Sequence, residues 1–311
     1  MEAATARLGR GRRRKEKSYG SEERRLATLL LSPAMVVIAL VAAYPIGYAV
    51  WLSLTEYSLR EPGKWRFAGF DNYTEAFGST EFWDAVKNTF IFTGISVTLE
   101  LVIGLGMALA MHSAFKGRGL LRTVVLVPWA VLTVVSAITW RTLFEPNLGL
   151  APTVLDKIGI AGNVVWLGQE GYAMAVMILA DVWKTAPFMA LLLLAGLQVI
   201  PDDVYDAAKV DGATTWQRFQ RITLPLLVPA IFVALIFRTL DALRIFDLPF
   251  VLTGGTNGTS TLSLIAQQEL TTNNLIGYGS ALSVLTFVVV MAVSFIYIRT
   301  VGGNIRSLAE D

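Results

Sequence analysis

Apolar residues do not alternate with polar ones along most of this chain; they run on in blocks. Six blocks reach the roughly 20 residues needed to cross a hydrocarbon layer about 30 Å thick. They are Leu26 to Leu54, Val86 to Met111, Leu120 to Phe144, Tyr172 to Ile200, Leu224 to Ile245 and Ser280 to Val301. Each is expected to be a membrane-spanning helix, because an isolated helix satisfies its own backbone polar groups in lipid. Pro45, Pro128, Pro187, Pro225 and Pro229 lie in these blocks, so some spans are expected to bend. The pattern predicts an all-α integral membrane protein with six transmembrane helices. A basic, unordered tail at 1–25 precedes a transmembrane region at 26–302, and a short tail follows at 303–311.

Composition agrees: 54% of residues are hydrophobic and 16% charged, at a mean hydropathy of +0.55, too oily for a soluble domain of this length. The first block follows basic residues, as a signal peptide's core does. It is too long for one and lacks a small-residue cleavage site, so it reads as a retained span. The basic run RLGRGRRRKEK is consistent with an orienting tail near anionic lipid, with no folded nucleic-acid motif beside it.

Charge then sets orientation. Seventeen Lys and Arg residues fall in the two tails and the second and fourth loops, against four, Arg60, Lys64, Arg66 and Lys157, in the opposite loops. The basic side is expected to face the cytosol, with both termini. On the other side, Gly63 to Phe90 mixes aromatic and polar residues and is expected to form short interfacial helices, an aromatic belt that doubles as a docking ledge.

Several chemistries have no residues to carry them. There is no cysteine, so no disulfide, thiolate nucleophile or Cys-based metal site. The single histidine, His112, stands at the edge of an apolar block, whereas metal sites need several donors. A G-x-x-x-x-G-K-[ST] phosphate loop is missing, and no Ser-His-Asp set can be assembled. Catalysis is not expected, and any nucleotide-driven work must be powered by a partner.

One polar segment stands apart. DAAKVDGATTWQRFQRITLPLL, Asp206 to Leu227, carries five charges between two apolar blocks. Pro201 suits the first position of a helix, with Asp202, Asp203 and Asp206 in the early turns where the helix dipole favours negative charge. Gly212 is placed to end that helix in a left-handed cap. Thr214 and Gln217 have capping-box spacing and open a second short helix, expected to finish near Pro225. Val204, Ala207, Ala208 and Asp211 share one helical face, and Trp216, Phe219 and Ile222 another. Periodicity alone suits packing inside this chain and docking on a separate partner equally well.

The residues of this hairpin, 201–223, resemble the EAA loop of the inner-membrane permease subunits of ABC importers. Asp206-Ala207-Ala208 stands for EAA, Asp211-Gly212-Ala213 for the usual DGA, and Ile222-Thr223-Leu224-Pro225 for I-x-L-P. The departure is Asp206 in place of Glu, one methylene shorter. LAGLQVIP (Leu194 to Pro201), FAGFDNY (Phe67 to Tyr73), FRTLDALRIFD (Phe237 to Asp247), LTGG (Leu252 to Gly255) and GYGSALS (Gly277 to Ser283) resemble the carbohydrate permeases of the MalF/UgpA-like branch.

That resemblance implies a type I ABC importer permease fold in a bacterial cell membrane. It implies that Asp206, Ala207, Ala208, Asp211, Gly212, Trp216, Phe219, Leu224 and Pro225 form an ATPase-coupling surface. The implied partners are a second, MalG-like permease, two cytoplasmic ATPases and an extracytoplasmic solute-binding protein or lipoprotein. No cofactor is expected in this chain; ATP and Mg belong to the ATPases. The implied cargo is a carbohydrate, a disaccharide with trehalose foremost.

Sugar recognition needs hydrogen-bonding groups beside an aromatic face. Asp181, Lys184, Thr185 and Phe188 form one helical stripe in the fourth block, and Arg238, Asp241 and Arg244 another in the fifth. The two stripes are candidate sugar contacts, on the residues' side because polar groups inside a membrane usually face a wet cavity or each other. Asp181 with Lys184, and Arg238 with Asp241, fit structural pairing equally well. Glu100, alone in the second block, is either paired or cavity-facing, and the Gly104 to Ala110 run, GLGMALA, suits close helix packing. A six-span secondary transporter or channel explains the hydropathy as well, but not a hairpin of this spacing; a membrane scaffold is a weaker third reading.

Overall fold

The computed structural model describes residues 8–61, 63, 65–113, 117–159 and 164–310, with side chains described between 24 and 299 apart from Arg118. Lys64 and Lys116, two of the loop charges counted above, and the first seven residues of the basic tail lie outside the described residues. Residues up to Leu52 form one unit and those from Ser53 a second. The first unit is helix α1 (Leu8–Ser53), with Pro33 and Pro45 inside it and Tyr44 stacked on Tyr48, ring centres 6.2 Å apart. Its helix runs back to Leu8 where an unordered tail was expected. Arg, Lys and Glu are good helix formers, and extending an existing helix avoids the cost of nucleating one.

The second unit opens with β1 (Thr55–Tyr57) and β2 (Trp65–Phe67), antiparallel with Thr55 opposite Phe67. The chain is helical as expected, and this three-residue ladder is a local addition to it. Helices α2 (Asp71–Gly78) and α3 (Thr80–His112) follow, so the Gly63 to Phe90 segment is a strand, one short helix and an early start to a span. Asn72 of the FAGFDNY motif explains why the ladder sits there. Its buried amide donates to the carbonyls of Ser53 at 2.8 Å and Thr55 at 2.9 Å, and the Ser53 and Tyr73 hydroxyls lie 2.6 Å apart.

Next come α4 (Arg118–Ala130), α5 (Thr133–Leu143), α6 (Leu150–Lys157) and α7 (Tyr172–Leu197). Then follow α8 (Asp202–Val210), α9 (Thr215–Arg218), α10 (Leu224–Ala242), α11 (Asp247–Thr253), α12 (Leu262–Thr271) and α13 (Ile276–Glu310). Among the described residues five helices are long and apolar enough to span, and α4 with α5 makes a sixth only as a pair bent by 87°. The third block is therefore not a straight span. Pro128 lies in the last turn of α4, and Val131 leaves it in an extended conformation, φ −73° and ψ 135°.

The centre of this unit is α3 against α7, with α10 against both. Met111, Met189, Leu193, Leu197 and Leu227 are wholly buried there. Gly104 sets the approach of α3 to α7: a Cβ on it would lie 2.8 Å from the Met189 Cγ and 3.2 Å from the Ala190 nitrogen. Gly106 has open space at the same point. A second layer pairs α12 with α13, where Gly279 lies against Leu270 and Gly277 against the Thr55 carbonyl.

This asymmetry predicts that Gly104→Leu, which overfills a packed contact, lowers stability by about 1–3 kcal/mol. Gly106→Leu is expected to change it little. Thermal unfolding midpoints of the purified variants check this; equal midpoints for the two would contradict it.

Candidate coupling hairpin and membrane-buried site

Helix α8 begins at Asp202, with Pro201 as its extended N-cap rather than its first helical residue, and Asp202 and Asp203 fill the first turn. It ends as the sequence predicts. Gly212 adopts φ +77°, and the Gly212 and Ala213 amides donate to the carbonyls of Lys209 at 3.1 Å and Ala208 at 2.9 Å. The second arm then opens with a complete capping box: the Gln217 amide donates to Thr214 Oγ1 at 3.3 Å, and the Thr214 amide to Gln217 Oε1 at 2.8 Å.

The second arm does not finish near Pro225. After α9 the chain makes one wider π turn, Phe219–Thr223, and continues into α10, so residues 215–242 form one unbroken apolar helix. Pro225 has no amide hydrogen and its ring crowds the carbonyl four residues back; the wider turn just before it opens that spacing. The polar hairpin is thereby joined to a span without a flexible link.

The hairpin's side chains divide clearly. Asp206, Ala207, Asp211, Gly212, Trp216, Leu224 and Pro225 are exposed, while Ala208 and Phe219 are half-buried. Asp206 accepts from Lys209 Nζ at 2.7 Å, and this hydrogen bond, with the lysine charge, holds its carboxyl below the usual range. Trp216 stacks on Phe219 with ring centres 5.4 Å apart, and the Tyr205 and Thr223 hydroxyls, 3.0 Å apart, tie the two arms together. These rings and Leu109 of α3 line a cavity of about 610 Å³ between the hairpin and the helix bundle.

Inside the membrane, the predicted stripes meet: the expected Arg238–Asp241 pair forms, while Asp181 turns to Arg238 rather than to Lys184. Arg238, almost fully buried, donates from Nε to Glu100 Oε2 at 2.5 Å and from Nη2 to Glu100 Oε1 at 2.9 Å. Nη2 also bonds Asp181, and Nη1 reaches Asp241 Oδ2 at 2.9 Å. Thr185 Oγ1 donates to Glu100 Oε1 at 2.7 Å. Asp181 thus pairs with Arg238, and Lys184 is left half-buried one turn along. Asp241 alone of the three acids is open, with 70% of its side chain exposed.

Glu100 takes the paired of its two expected roles, bonded to Arg238. Its signal was its solitude: a lone acid in an apolar span has to find a cation. Two candidates fall elsewhere. Phe188 stacks on Trp129 at 5.7 Å, and Arg244 donates to the Leu240 carbonyl at 3.2 Å and lines a separate cavity.

An apolar helix bundle with a rigid polar hairpin running straight into a span is the architecture of an importer's membrane permease. Residues 101–303 match the model of the binding-protein-dependent transport system inner membrane component, and the chain belongs to that family. The trehalose transport system permease protein SugA of Mycobacterium tuberculosis is 44% identical over 280 residues, 90% of each chain. The trehalose/maltose transport system permease protein MalF of Thermococcus litoralis is 44% identical over 279 residues, covering 89% of this chain and 94% of that one. Among solved structures, a bacterial ABC transporter involved in alginate import matches with a TM-score of 0.74 and 26% identity, over 91% of this chain and 97% of that one. The chain is a multi-pass permease subunit of the type I importer fold, and in this family ATP hydrolysis lies in partner subunits.

The cluster predicts a sharp contrast. Arg238→Met leaves two buried carboxylates without a cation and is expected to cost about 3–5 kcal/mol. Replacing Glu100, Asp181 and Arg238 together by Leu, Leu and Met is expected to restore most of that stability. Yield and thermal midpoint of the purified proteins read this out; a triple variant no better than Arg238→Met would contradict it.

Proposed function

We propose that this chain is one of two permeases in an ATP-driven importer of a disaccharide, with trehalose its cargo. The names of its relatives support the sugar, and the excess of Lys and Arg on the hairpin side supports a cytosolic hairpin and termini. In this reading a MalG-like permease completes the translocation path. A solute-binding protein delivers sugar on the far side, and two ATPases, carrying ATP and Mg, receive the hairpins.

The observation that carries the reading is the unbroken helix from Thr215 to Ala242. Trp216, at its start, is exposed for docking, and Arg238, near its end, is bonded to α3 and α7. ATPase closure pushes on Ala207, Ala208, Asp211 and Gly212, and α10 carries the displacement to the bundle. The two global states, open inward and open outward, are then biased by nucleotide at one end and sugar at the other. Within the path, Lys184 and the open carboxylate of Asp241 address sugar hydroxyls. Asp181, Thr185 and Arg238 hold the wall in shape.

Gly212→Val forces a side chain into a left-handed position, a strain of about 1–3 kcal/mol. In proteoliposomes holding the whole complex, it is expected to lower sugar-stimulated ATP hydrolysis by about tenfold or more. Uptake driven by an ion gradient with no ATPase present would overturn the reading.

A further inference from the structure

A cavity of about 400 Å³ lies between the end of α10, the polar face of α12 and the start of α13. Its wall is mostly apolar, Leu270 and Val290 among it, with polar side chains set between. Phe246 and Phe287, 39% and 47% exposed, line it together with Arg244, Gln267, Ser283 and Thr286. Among the described residues that line it there is no carboxylate.

The hydrogen bonds there are half used. Ser283 and Thr286 each donate to a carbonyl of their own helix, Gly279 at 2.8 Å and Leu282 at 2.8 Å, which leaves the hydroxyl oxygens free to accept. Gln267 donates from Nε2 to Thr271 Oγ1 at 2.9 Å, while its buried Oε1 has no hydrogen-bond partner among the described residues. An acceptor held without a donor is costly, and a turn of the Gln267 side chain that opens its amide to the cavity lets an arriving hydroxyl relieve that cost. Serine and threonine oxygens that accept, the Gln267 amide, a guanidinium that donates and two phenyl side chains form a complement to a neutral sugar. Its hydroxyls donate and accept, and its C–H face lies on aromatic rings. The volume falls within the range of small-ligand sites.

We propose that this cavity is a sugar subsite, separate from the Arg238 cluster, in which Gln267 and Thr286 read hydroxyls and Phe287 supports a pyranose ring. The proposal rests on the sugar-import reading above. It adds a second place of contact to the one that Lys184 and Asp241 offer, since Glu100, Asp181 and Arg238 are committed to one another. Arg244 is the one residue of the α7 and α10 stripes that belongs to it.

The test uses the complete complex in proteoliposomes with its binding protein, measuring uptake of labelled trehalose and labelled maltose. Gln267→Leu, Thr286→Val and Phe287→Ala are expected to slow uptake about tenfold each, the effect of one strong contact. They are also expected to change the ratio of trehalose to maltose transported. Val288→Ala, beside Phe287 but outside the cavity wall, is the control expected to change neither. An unchanged rate and ratio in all three variants overturns the subsite. So does loss of uptake together with loss of the second permease on purification, which would mark the groove as a subunit interface. If the parent complex carries neither sugar, the import reading falls and the subsite with it.

Discussion

A guanidinium placed among lipid-spanning helices is the constraint around which this bundle is arranged. Arg238 cannot shed its charge, so carboxylates must come to it. They come from three places: Glu100 on α3, Asp181 on α7 and Asp241 on its own helix. The planar fork of the arginine fixes their directions as well as their distances. Residues one helical turn further along then fall into line. Gly104 follows Glu100 and Met189 follows Thr185, and these two are in contact where a larger residue would not fit. One polar knot thereby sets the register of α3, α7 and α10, and the small residues beside it allow the close approach.

The same helix that carries Arg238 begins in the hairpin. A proline at its entry would ordinarily end or kink it, and the π turn from Phe219 to Thr223 is the local device that keeps the hydrogen-bonded path going. A loosely tethered loop could bind an ATPase but could not push on a membrane span. An unbroken helix fastened to two neighbours can. The capped Gly212 turn and the Thr214 box shape one end of that connection, and the ion cluster grips the other.

Much of this was legible before any coordinates. Long apolar runs located five spans to within a few residues at most ends, and the hairpin's glycine and capping box appeared where their chemistry requires them. What escaped was of another kind. The 87° bend of the third block depends on where a proline meets its neighbours in space, and the β1–β2 ladder on an asparagine reaching back to Ser53 and Thr55. The pairing of Asp181 with Arg238 rather than Lys184 depends on which helices touch, which spacing within one helix does not encode. The open groove at α12 and α13 was hidden for the same reason: Gln267 and Thr286 look unremarkable until they share a cavity.

The claim at the centre is that hairpin and bundle core move as one body. Because the chain has no cysteine, spin labels can be placed at two chosen sites alone, Val210 at the hairpin and Val102 on α3, both exposed. Their separation, measured by pulsed electron spin resonance in the assembled transporter with and without ATP, is predicted to stay the same while uptake proceeds. A shift of about 5 Å, one helical turn, would mean that the hairpin slides independently of the core and would contradict the account.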